Sequence, residues 1–137
     1  MNAVTAKTKE QQASDALRCL ADGVDTKKVD DFLDQLFQLA ERLGSVTCAL
    51  VDDQLCLQTH NVILDTLNIE RAKSSLRMVC ARLAVRCSES AKRKVSAYGD
   101  VVEFEYSPAK RLIEVRFENT TVLQQISIVV KSANGIP

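Results

Sequence analysis

Residues 101–131 alternate apolar and polar side chains with a period of two, and that period commits the chain to a layered antiparallel sheet. Val102, Phe104 and Tyr106 alternate with Val101, Glu103 and Glu105. Ser107-Pro108-Ala109-Lys110 has turn chemistry, after which Ile113, Val115 and Phe117 alternate with Leu112, Glu114 and Arg116. Beyond Asn119-Thr120, a third run over 122–131 stays apolar on at least one face. Such alternation turns one side of a sheet to the core and the other to water. A hairpin centred on Pro108-Ala109 sets Tyr106 opposite Arg111, Phe104 opposite Ile113 and Glu103 opposite Glu114. Directly opposed like charges are unfavourable, and Arg116 lies on the diagonal where it can compensate. The stretch carries no catalytic motif.

The chain's 137 residues suit one ordinary domain. Hydrophobic residues make up 46%, enough for a core, whereas aromatics are only 4% with no Trp. That scarcity weakens any reading built on base stacking. A formal net charge of zero gives no bulk attraction to nucleic acid or anionic membrane. The polar opening Met1–Lys9 has no signal-peptide core, and no apolar run reaches the roughly 20 residues of a membrane helix. Membrane insertion and nucleic-acid binding are therefore not expected, and a cytoplasmic location is.

Five cysteines (Cys19, Cys48, Cys56, Cys80, Cys87) and the single histidine His60 form no CxxC or other ligand spacing. The expectation is reduced, buried thiols with no metal and no cofactor. The competing enzymatic reading places a thiol or carboxylate in a pocket near Cys48, Cys56 and His60, with Asp65 as helper.

Ala13, Ala16, Leu17 and Leu20 follow helical spacing over Thr8–Asp22, with Gly23 placed to end that helix. A second helix, capped by Asp25 or Thr26, carries Val29, Phe32, Leu33, Leu36, Leu39, Ala40 and Leu43 and stops at Gly44. Val46, Cys48 and Leu50, then Leu55 and Leu57, alternate about Asp52-Asp53 and predict a hairpin that sets Leu50 opposite Leu55. Asn61–Thr66 reads as a connection or a short helical turn. Ile69, Ala72, Leu76, Val79, Cys80, Leu83 and Cys87 then repeat at three and four, predicting a long helix over about 68–90. The expected fold is α+β in the order ααββαβββ, with a five-stranded antiparallel sheet (two plus three strands) crossed by the long helix. Residues 1–24 form an arm and helix, 25–131 the domain and 132–137 a tail.

A strand pair, a crossing helix and three more antiparallel strands resemble the core of Roadblock (dynein light-chain), longin and profilin-like domains. Within Asp25–Lys131, the run Leu43-Gly44-Ser45-Val46-Thr47-Cys48-Ala49-Leu50-Val51-Asp52 is similar to the Roadblock entry into its first strand. The chain departs from that pattern in lacking a turn glycine at Asp52-Asp53, in its additional first helix and in having no closing helix. The resemblance implies no active site. It implies a dimerising, non-enzymatic platform for small GTPases, motor subunits or scaffold complexes, with Val101–Tyr106 as the exposed edge strand.

Surface chemistry refines the partner. Over 70–94 eight basic residues stand against two acidic, and over 22–53 eight acidic against three basic. Two helix faces leaning on each other would explain this, as would a basic ridge meeting an acidic partner. Met78, Arg82 and Val85 lie at i, i+4 and i+7, off the main stripe, and predict cover by the first helix or by a partner helix. Glu103 and Glu105 would oppose each other in a self-paired edge, so a heterodimer with a related domain or complex subunit is expected. The candidate partner-binding residues are Met78, Arg82, Val85, Arg86, Val101, Glu103 and Glu105.

Overall fold

A computed structural model describes residues 7–106 and 110–131. Among these residues three helices and six strands follow one another as α1 (Lys9–Arg18), α2 (Thr26–Leu43), β1 (Ser45–Val51), β2 (Gln54–Thr59), β3 (Val62–Asn68), α3 (Ala72–Ala91), β4 (Gly99–Tyr106), β5 (Arg111–Asn119) and β6 (Gln124–Val130). The class is α+β, as the periodicities predict, but the sheet has six strands in the order β3-β2-β1-β6-β5-β4. All neighbours are antiparallel, and β1–β6 pairing (Val46↔Ile128, Cys48↔Ile126) joins the two meanders. The edges are β3 and β4.

The expected five-stranded arrangement is thus corrected at Asn61–Thr66, which contributes a strand instead of a connection. His60 and Asn61 both take left-handed φ values, 49° and 66°, as do Asp52 and Asp53, at 50° and 65°. Each pair makes a two-residue hairpin turn whose twist matches that of the flanking strands. The alternation that would announce β3 is broken by a bulge. Leu57 pairs with Asp65 and Gln58 with Ile63, leaving Leu64 as the extra residue. The bulge turns Leu64 into the core while Val62 and Ile63 stay exposed. α3 consequently begins at Ala72 and not near 68, since the chain leaves the sheet only after Asn68.

The predicted registers hold elsewhere. Leu50 faces Leu55 and Cys48 faces Leu57, and Glu103 faces Glu114 with Tyr106 opposite Arg111. The expected turn over 107–109, the expected tail over 132–137 and residues 1–6 of the expected arm lie outside the described residues.

Capping explains where α2 sits. The Asp25 carboxylate accepts from the Lys28 N–H at 2.9 Å, a bond that satisfies a first-turn donor. Gly44 ends the helix at φ 91°, donating to the Ala40 carbonyl, a conformation that costs glycine nothing and a side chain considerably more. α1 is shorter than its spacing suggests, stopping at Arg18 before a turn that still buries Leu20.

One core unites the molecule. Leu17 and Leu20, Phe32, Leu33 and Leu36, Leu76 and Leu83, and the inward sheet residues Leu55, Leu57, Ile113, Ile126 and Ile128 belong to a single buried cluster. The three helices therefore share one face of the sheet. α1 packs on α2 and β3, α2 on β1 and β6, and α3 across β4, β5 and β6. The opposite face is open and largely polar, with Thr47 and Ser127 joined hydroxyl to hydroxyl at 3.0 Å.

Candidate functional site

The β4 edge combines exposed backbone with a concentration of charge. In an antiparallel strand, the N–H and C=O of one residue point the same way, and successive residues point to opposite sides. Asn119 at the end of β5 donates its N–H to the Tyr98 carbonyl at 2.9 Å. Tyr98 and the even-numbered residues after it therefore turn their backbone toward β5. Gly99, Val101, Glu103 and Glu105 turn theirs outward.

Two of these outward positions are closed from within. Gly99 bonds Ser96, and its φ of +146° lets the strand start against β5, where an added Cβ would lie 3.0 Å from the Phe117 carbonyl oxygen. At Val101, the Asp100 carboxylate accepts the N–H at 2.8 Å and the Arg93 guanidinium donates to the carbonyl at 3.0 Å. Arg93 also grips Asp100 through two 3.2 Å bonds. That guanidinium, with the N–H groups of Ser96 and Val101, holds the Asp100 carboxyl at a pKa of about 2. Arg93 and Asp100 thus form a clasp over the first part of the edge. The outward backbone groups of Glu103 and Glu105 have no hydrogen-bond partner among the described residues.

Side chains at these odd positions lie on the open face. Val101 is 48% exposed, and Glu103 and Glu105 are exposed beside it. Lys131 Nζ lies 3.7 Å from Glu103 and 3.1 Å from Glu114. Arg116 meets Glu114 at 3.0 Å. Arg116 first and then Lys131 hold the Glu114 carboxyl below its ordinary range, which answers the like-charge pair expected across this hairpin. Arg116 is the diagonal cation that the spacing predicts; Lys131, one residue past the end of β6, is brought beside it by the sheet order.

The helix residues separate into two groups. Met78 and Val85 are about half exposed on α3. Arg82 and Arg86 turn toward α2 instead of forming a free basic ridge. Arg82 grips Asp30 through bonds of 2.8 and 3.1 Å, and Arg86 reaches Asp34 at 2.7 Å. The Arg82 guanidinium holds the Asp30 carboxyl below its usual range. Two of the eight basic and two of the eight acidic residues in the charge runs thus join the two helices, and the neighbour that covers Arg82 is α2, not the first helix.

Sequence spacing passed over Phe37, which anchors the edge strand from below. It is 3% exposed, stacks on Tyr106 at 4.9 Å, meets Phe104 edge-on at 6.4 Å and lies under Arg86 at 5.7 Å. Its signal was available: it stands four residues after Leu33 and three before Ala40.

The thiol arrangement is dispersed. Cys48 faces the helices while Cys56, opposite Ala49, faces the open side of the sheet. His60 sits in its turn against the Leu43 carbonyl at 3.3 Å. Burial pushes Cys80 and Cys87 up to about 12, and Cys48 is raised by the same cause. Among the described residues, no three His, Cys, Asp or Glu side chains come together as a metal site would require. No described helix is long and apolar enough to cross a membrane. A polar cleft between α1 and α2 is lined by Lys7, Gln12, Asp15, Gln35, Gln38 and Arg42. Its charges are already engaged, Lys7 with Asp15 and Arg42 with Gln12 and the Lys7 carbonyl.

Comparison of the chain with protein-family models and with curated protein sequences finds no match.

Proposed function

We propose that the chain is a non-enzymatic protein–protein interaction module, a subunit of a cytosolic assembly of the scaffold or small-GTPase and motor-regulator type. It docks through the β4 edge, with the Met78–Val85 face of α3 as a second contact. The observation that carries this reading is the pair of outward-facing, unbonded backbone positions at Glu103 and Glu105. An edge of this kind is a template on which another chain can add a strand. The dispersed positions of Cys48, Cys56 and His60 favour it over thiol chemistry in a pocket, because nucleophile and base must lie within hydrogen-bond reach.

Proline at an outward position removes an edge donor without touching the β4–β5 ladder. Purification of the tagged chain from its native source, with mass-spectrometric identification of its companions, is expected to lose them in the Glu103→Pro/Glu105→Pro variant. The variant should retain wild-type circular dichroism. Companions retained at wild-type levels on a folded variant would overturn the reading.

A further inference from the structure

The β4 edge is selective as well as open, and the selectivity follows from the clasp and the charges together. Resting on the docking role just proposed, we infer that the edge takes an extended strand of a different chain bearing Lys or Arg at alternate positions, seated opposite Glu103 and Glu105.

The clasp fixes the footprint. With Val101 closed by Arg93 and Asp100, an incoming strand has two described residues to bond, Glu103 and Glu105. A second copy of this chain is the poorer occupant. Two-fold pairings centred within 103–105 set Glu103 against its own copy, Glu105 against its own copy, or one against the other. Cross-strand neighbours sit about 5 Å apart, where like charges repel. Pairings centred nearer the start of β4 need the Val101 backbone, which the clasp occupies.

A basic strand meets the opposite situation. Lys131 already places an ammonium 3.7 Å from Glu103, the same chemistry in intramolecular form. Glu105 has no cationic partner among the described residues. Val101, two residues before Glu103 on the same face of β4, is 48% exposed. Its apolar surface suits the methylene stem of a Lys or Arg, whose charged head then reaches the carboxylates. Alternation is required because both glutamates project from one face, and side chains two apart on the incoming strand share it.

The test uses the full chain, labelled with ¹⁵N, and two synthetic peptides: Thr-Lys-Val-Lys-Val-Lys-Thr and its twin with Glu for Lys. The basic peptide should shift the Glu103 and Glu105 amides and weaken in about 0.5 M salt, where screening is short-ranged. The acidic twin should bind at least about tenfold more weakly. In Glu103→Lys/Glu105→Lys the preference should reverse. Equal binding of the twins, no binding of the basic peptide, or shifts confined to β3 or α3 would overturn the inference. If the peptides fail to discriminate while the proline variant still loses its native companions, charge selection falls and the docking role stands. If the proline variant keeps its companions, the docking role itself falls.

Discussion

Phe37→Ala is expected to lower the stability of the fold by about 3–5 kcal/mol, the usual result of emptying a buried aromatic site. Against the 5–15 kcal/mol typical of a whole domain, that is a large fraction. The melting temperature should fall by on the order of 10 °C or more, read by circular dichroism. The cause is specific to this position, because one ring joins α2 to the edge strand through Tyr106 and Phe104 and supports Arg86 from below. Phe37→Leu keeps most of the volume and loses the stacking, so it should cost only about 1 kcal/mol. Equal losses in the two variants would show that the site collapses around its aromatic pairs regardless of volume. A loss under about 1 kcal/mol for alanine would mean that Phe37 does not tie β4 to the helix layer.

Asn119→Asp should be nearly as damaging, and its effect should depend on pH. The Asn119 amide nitrogen donates to the carbonyls of Ala97 at 3.0 Å and Arg77 at 3.4 Å, holding the loop before β4 to α3. The residue is 5% exposed, and its amide oxygen has no partner among the described residues. An ionised carboxylate of the same shape would face two carbonyl oxygens with no donor, a desolvated charge without compensation. Folding would raise the new carboxyl's pKa above its unfolded value of about 3.9. The folded state thus binds the proton more tightly than the unfolded state, so the variant should be least impaired below about pH 4 and lose stability as the pH rises. At neutral pH the expected loss is about 3 kcal/mol or more, measured by urea unfolding. A loss that did not change between pH 4 and 7 would contradict this account of the site.

Much of the architecture was legible because it rests on local periodicity. The β4–β5 register, the α2 stripe and the Asp52-Asp53 hairpin each follow from which residues must face the core. The sixth strand was hidden for an equally physical reason: Leu64 is buried through a bulge, so the 62–68 run never shows clean alternation. The charge runs over 22–53 and 70–94 were visible, but the bonds that Arg82 and Arg86 make to Asp30 and Asp34 were not. Whether Arg82 meets a partner or Asp30 depends on how α2 and α3 cross, and no spacing within either helix encodes that. The clasp lay beyond sequence reading for the same reason. Arg93 and Asp100 are seven apart on either side of a loop, and they close a backbone position whose outward direction is fixed only by pairing with β5. Val101, Glu103 and Glu105 were therefore recognisable as edge residues, whereas the difference between the first and the other two was not.

Hydrogen exchange by mass spectrometry and NMR, on the assembly purified from the native source and on the isolated chain, tests the docking edge most directly. Strand addition should slow exchange at the Glu103 and Glu105 amides by at least about tenfold, because their outward N–H groups gain acceptors. Gly99 and Val101, already bonded to Ser96 and Asp100, should change least among the outward positions of β4. Protection that appeared on β3 or on the exposed face of α3, with Glu103 and Glu105 exchanging as in the isolated chain, would contradict the account.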